Sequence, residues 1–117
     1  MDKALAITNG FSVSSDDDIF KALADPSRRV ILDALLKDDC SVTDLTKLLK
    51  MTQSAVSQHL AILKMAGLVE DRKVGRKRYY RVLADRLDPV HDWLSKYRTT
   101  WATGLTALED HLNRQRN

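Results

Sequence analysis

Apolar residues recur at every third and fourth position from Ile19 to Leu63, and past Gly67 that period gives way to strand-like pairs. A chain patterned in this way is predicted to place several short helices ahead of one β-hairpin. The breaks in the period say where each helix starts and stops. Asp16, Asp17 and Asp18 suit a helix opening near Ser15, where unpaired backbone amides favour negative charge. Residues 1–14, with Asn9 and Gly10 and no sustained period, are then expected to be a flexible arm. Asp25-Pro26 divides the first apolar stretch into two helices, with Asp25 as N-cap and Pro26 at the first helical position.

Ser41-Val42-Thr43-Asp44 has the form of a capping box, opening a short helix that carries Leu45, Leu48 and Leu49. A turn of about four residues, Lys50 to Gln53, leads to a second helix capped by Thr52 and reaching about Met65. Its inward positions are Val56, Leu60 and Leu63, and Gly67 ends it in the left-handed conformation. Leu68-Val69 and Tyr79-Tyr80-Arg81-Val82 have strand character, with Val74-Gly75-Arg76-Lys77 as the turn between them. Asp88 as N-cap and Pro89 in the first turn begin a long helix, expected to reach Leu112. The predicted division is an arm over 1–14, a mainly α body with a small β-hairpin over 15–87 and a single long helix over 88–117.

With 117 residues there is room for one core of modest stability, so a subunit interface is a natural supplement. The formal net charge of +3 does not by itself identify a partner, but its distribution does more. Arg72, Lys73, Arg76, Lys77, Arg78 and Arg81 crowd one short stretch, whereas acidic residues gather earlier. A lone cysteine, Cys40, excludes an internal disulfide. No signal-like segment precedes residue 20 and no apolar run is long enough to span a bilayer, so a cytoplasmic protein with no membrane partner is expected.

Two short helices joined by a tight turn and followed by a basic hairpin make an arrangement that places a helix in the DNA major groove. Gln53, Ser54, Ser57, Gln58 and His59 would present hydrogen-bonding groups to base edges of double-stranded DNA, and Lys64 would meet phosphate. Thr52 at the helix start joins this set, as do Lys73, Arg76, Lys77, Arg78 and Tyr79 around the turn. The plainer alternatives are a solvated helix face and a solvated turn. Cations this close repel one another without an anionic partner, and phosphate contact would release condensed counterions.

Four stretches carry a resemblance: Phe20-Lys21-Ala22-Leu23-Ala24-Asp25-Pro26-Ser27-Arg28-Arg29, Gln53 to Leu60, Leu63 to Val69, and Gly75-Arg76 with Tyr79-Tyr80. In order and spacing, from about Asp18 to Leu87, they resemble the ArsR family of bacterial winged-helix repressors. The resemblance implies a DNA-binding winged helix-turn-helix over 15–87 and a dimerisation helix over 88–117, in a homodimer whose two reading helices enter successive major grooves of an imperfect palindrome, with the wings over flanking DNA. It matches Gln53, Ser54, Ser57, Gln58 and His59 to the reading helix, and Arg76, Lys77 and Arg78 to the wing. Arg28 and Arg29 match a basic pair, for which an ion pair with Asp25 or Asp33 is the alternative.

Metal-sensing members of that family carry two cysteines where this chain has Ser41 and Thr43, neither of which is a soft ligand. Cys40 stands one position away, without thiolate partners, and reads as a small, partly buried residue. His91 and His111, twenty positions apart, depart from the family's other metal spacing. No metal and no other cofactor is therefore expected. A metal- or thiol-responsive sensor that leaves DNA on effector binding is the alternative.

The closing helix carries Val90, Leu94, Tyr97, Trp101, Leu105, Leu108 and Leu112 at three- and four-residue steps, with Trp93 widening the stripe. A second copy of the same helix is its expected cover. These aromatics resemble a metal-independent ArsR-like subgroup, and a pocket of Trp93, Tyr97 and Trp101 holding an apolar effector is a further alternative. Enzymatic activity is not expected, because Ser57 and His59 are two apart on a helix, cannot converge with Asp44, and lack a glycine-flanked nucleophile turn. A module serving protein contacts alone would not need so basic a hairpin.

Overall fold

The structure, a computed structural model, describes residues 11–116, with side chains from Asp16 onward. Of the expected arm, residues 1–10 lie outside the described residues. The chain divides into two compact units, one ending at Leu87 and one starting at Asp88. The first unit holds α1 (Phe11–Leu23), α2 (Pro26–Lys37), β1 (Cys40–Ser41), α3 (Val42–Leu49), α4 (Gln53–Met65), β2 (Val69–Val74), β3 (Lys77–Val82) and a 3-10 turn, Ala84–Leu87. The second is one helix, α5 (Asp88–Arg116).

α1 begins at Phe11, four residues ahead of Ser15. No glycine or proline follows Gly10 in this stretch, so nothing stops the helix from extending back to Phe11. Asp16, Asp17 and Asp18 thus sit in its second turn, where Asp17 pairs with Lys21 at 3.1 Å. The Asp25 side chain caps α2 by accepting from the Ser27 and Arg28 amides at 2.7 and 3.3 Å. Burial raises the Asp25 carboxyl, but those amides and the nearby His59 and Arg28 side chains outweigh it and leave it below the usual range.

The capping box of α3 is complete: Ser41 Oγ accepts from the Asp44 amide at 3.1 Å, and Asp44 Oδ2 accepts from the Ser41 amide at 3.0 Å. The link from α3 to α4 is tighter than four residues, because Lys50 itself takes the left-handed conformation at φ 55°. Thr52 then caps α4 through the Ala55 amide. At the other end the Gly67 amide donates to the Lys64 carbonyl and the Leu68 amide to the Leu63 carbonyl, the paired bonds of a Schellman motif around a left-handed glycine.

The sheet is antiparallel and three-stranded, in the order β1-β3-β2. β1 was not expected, since two residues are too short to show a period. Cys40 and Ser41 lie opposite Tyr80 and Tyr79, which makes β3 the central strand. The hairpin strands also extend further than expected, to Val74 and back from Lys77. Charged residues there alternate across a pleat instead of forming a loop.

One core serves the first unit: Ile19 and Ala22 of α1, Ile31, Leu32 and Leu35 of α2, Leu45 of α3, and Val56, Leu60 and Leu63 of α4, closed by Leu68 and Val69. α5 starts with Asp88 as a helical residue, led in directly by the 3-10 turn instead of a cap, and passes Leu112 to end at Arg116. Among the described residues no helix is long and apolar enough to cross a membrane.

Candidate nucleic-acid interface

α4 has two opposed faces. Val56 and Leu63 are 0% exposed and Leu60 is 1%, which fixes the helix against α2 and α3. The same fixing leaves Gln53, Ser54, Ser57 and Gln58 exposed on the outward side, with Thr52 at its start. These side chains carry amide and hydroxyl groups able to donate and accept toward base edges. His59 is set apart from them, half-buried with an Nδ1 that bonds to no described residue, and close enough to Asp25 to act on its carboxyl.

The hairpin closes through the Val74–Lys77 pair, with Gly75 at φ +64° and Arg76 completing the turn. A positive φ at the first central residue alone fits a type II′ turn. Nothing lies within 4 Å of a Cβ built there, so it is the φ, not crowding, that calls for glycine. Arg76 stands exposed at the tip.

The basic run does not form one patch, because side chains alternate across a strand. The register places Asp71, Lys73, Arg78 and Tyr80 on one face and Arg72, Lys77, Tyr79 and Arg81 on the other. Two of the expected phosphate-binding cations are already engaged: Lys64 Nζ lies 2.7 Å and Arg78 Nη1 2.9 Å from the Asp71 carboxylate. Arg72 reaches Asp39 at 4.0 Å. Lys73, Arg76, Lys77 and Arg81 form no ion pair with a described residue, although Lys77 helps lower the Asp44 carboxyl. Tyr79 is half-buried beside β1.

Asp71 escaped the sequence reading. The visible signal was an acid inside a run of cations, but its meaning depends on the Gly67 turn that returns β2 toward Lys64. Arg28 and Arg29 also find a structural task. Arg28 donates to the Ala22 and Lys21 carbonyls at 2.7 and 3.1 Å, and Arg29 donates to the Leu23 carbonyl at 2.7 Å. Together they satisfy the open carbonyl end of α1, with Arg28 also 3.7 Å from Asp25.

Ser41 spends its hydroxyl on the α3 cap, and Thr43 is exposed. Cys40 is buried, and its thiol donates to the Asp38 carbonyl at 3.4 Å. Burial raises its pKa, and Asp44, Asp38 and Asp39 raise it further, so the reactive thiolate is disfavoured. Among the described residues no group of three or more His, Cys, Asp or Glu is placed to hold a metal ion. His91 is exposed, 3.6 Å from its neighbour Asp92, and His111 is exposed within α5.

Within α5 no residue is buried. Trp93, Tyr97, Trp101, Leu105, Leu108 and Leu112 are all exposed, while Val90 and Leu94 are partly covered. Trp93 and Tyr97 meet edge to face at 5.3 Å between ring centres. Trp101 lines a shallow groove with Leu94, Arg98 and Leu105.

The family model described as "Bacterial regulatory protein, arsR family" matches residues 25–71, the span from the α2 cap into β2. The chain is similar to the HTH-type transcriptional regulator Rv2034 of Mycobacterium tuberculosis, at 38% identity over 96 residues, 82% of this chain and 90% of that protein. It is also similar to the transcriptional repressor SdpR of Bacillus subtilis, at 32% identity over 81 residues, 69% of this chain and 90% of the relative. Among solved structures, an ArsR-like transcriptional regulator from Rhodococcus sp. RHA1 superposes with a TM-score of 0.67 at 32% identity, covering 85% of this chain and 93% of that one. These relatives are regulators and not enzymes, and this chain, mainly helical with a small three-stranded antiparallel sheet, has the winged helix-turn-helix fold.

Proposed function

The chain belongs to the arsR family of bacterial regulatory proteins, and on that premise we propose that it is a metal-independent repressor gripping an imperfect palindromic operator as a homodimer. The observation that carries this reading is the orientation of α4. Val56, Leu60 and Leu63 are sealed inside while Gln53, Ser54, Ser57 and Gln58 stand outside, beside a hairpin tipped by Arg76. Gln58 and its neighbours read bases, and Lys73, Arg76 and Lys77 bind phosphate. The name of SdpR supports repression as the outcome.

Pairing through Val90, Trp93, Leu94, Tyr97, Trp101, Leu105, Leu108 and Leu112 gives the apolar side of α5 a cover of matching character and supplies two reading helices to a palindrome. Metal independence is supported by the hard side chains at Ser41 and Thr43 and by the buried, high-pKa thiol of Cys40. Added Zn²⁺ or a thiol oxidant is expected to leave operator binding unchanged.

The test is selection of bound fragments from genomic DNA, followed by Gln58→Ala on the fragment recovered. Specific affinity should fall by about 1–3 kcal/mol, roughly 5- to 150-fold, while random DNA binds as before. Equal weakening on both kinds of DNA removes Gln58 as a base reader. Failure to enrich any fragment removes the sequence-specific reading.

A further inference from the structure

The Asp71 carboxylate is the place where α4 and both strands of the wing meet through charge. Its side chain is only 6% exposed, whereas those of Lys64 and Arg78, the two cations against it, are 56% and 59% exposed. The carboxylate is therefore covered by its partners, and the partners keep more than half their surface in solvent. Lys64 stands one residue before the end of α4, Asp71 near the start of β2 and Arg78 near the start of β3. Since Asp71 lies opposite Tyr80 and Lys73 opposite Arg78, Asp71 and Arg78 are diagonal neighbours on one face of the hairpin. The clamp also relieves the repulsion between the directly opposed Lys73 and Arg78.

We propose that Asp71 is a positioning residue of the interface: it fixes the wing to the end of the reading helix and withholds Lys64 and Arg78 from indiscriminate phosphate contact. This rests on the DNA-binding reading above. A cation committed to a carboxylate at 2.7 or 2.9 Å releases few counterions when DNA arrives, because its charge is already balanced. The clamp thus lowers attraction to any duplex while holding the base-reading and phosphate-binding parts in fixed register. The consequence for recognition is a larger ratio of operator to random binding.

Asp71→Asn keeps the shape and removes the charge. On random DNA it should steepen the slope of log affinity against log salt by up to about 2, so that a fourfold rise in salt costs about tenfold more affinity than in the native chain. Operator preference over random DNA should fall in the same variant. Lys64→Met in the native background should leave the slope nearly unchanged, but in the Asp71→Asn background it should remove about one unit.

A purely structural role would instead lower thermal stability and weaken both DNAs together, with no change of slope, and that result overturns the proposal. If Asp71→Asn does not fold, Lys64→Met alone decides. A full unit lost from the native slope means that Lys64 already sits on phosphate and that the clamp is open on DNA. Salt-dependent native binding with an unaltered Asp71→Asn slope sinks the clamp alone. Native binding without salt dependence sinks the DNA-binding reading and the clamp with it.

Discussion

α4 and α5 carry the same kind of sequence signal, an apolar stripe at helical spacing, and the fold treats the two stripes differently. In α4 the stripe is consumed by the chain's own core, with Val56 and Leu63 fully buried. In α5, 29 residues long, not one residue is buried. What each helix has left over differs in kind: α4 presents amides and hydroxyls, and α5 presents tryptophans and leucines. The polar remainder suits a polar, hydrogen-bonding partner, and the apolar remainder suits a copy of itself.

The largest effect that could break this contrast comes from Leu60→Ala. Emptying a position 1% exposed should cost about 2–5 kcal/mol in chemical denaturation, through lost transfer energy and the cavity left behind. A loss below about 1 kcal/mol would mean that the α4 stripe is not core. Trp101→Ala, at a position 58% exposed, should leave the secondary structure intact and act on association instead. Its expected effect in sedimentation equilibrium is a dimer dissociation constant raised by at least about 30-fold, some 2 kcal/mol, as for a central aromatic anchor. If the native chain sediments as a monomer, the α5 stripe has some other cover and the comparison loses its second half.

How much of this was readable in advance depends on whether a feature is local. The Asp25 cap, the Ser41–Asp44 box, the Thr52 cap and the Gly67 terminus each need only residues within about four positions, and each was legible. The outward residues of α4 were legible for the same reason, as the complement of Val56, Leu60 and Leu63. What escaped requires chain return. β1 exists only because β3 comes back beside Cys40, and the Asp71 clamp only because the turn at Gly67 brings β2 under Lys64. Arg28 and Arg29 were legible as a basic pair with Asp25 or Asp33 as possible partners, but their bonds to the carbonyl end of α1 depend on how α1 and α2 pack. The basic run was legible as charge but not as two faces, since that division follows from strand register.

The smallest expected effect sharpens the contrast by asking whether the two units are independent. Asp44 accepts the Ser41 amide and caps α3; that hydrogen bond is the main cause holding its carboxyl below the ordinary value of 3.8, followed by the Ser41 hydroxyl, against burial and with help from Lys77 and Lys47. A carboxylate with a depressed folded-state pKa contributes stability that is fully present above the unfolded value and is lost as pH falls through the folded one. Asp44→Asn should therefore cost about 0.3–1 kcal/mol near neutral pH, and the gap to the native chain should close as acid takes the pH below 3.8. The same gap and the same closure should be found in a Trp101→Ala background, because the box lies wholly in the unit that buries its own core. A gap that shrinks in that background at pH 7 would tie the α3 cap to the state of α5, and the division into one self-sufficient unit and one awaiting a partner would have to be redrawn.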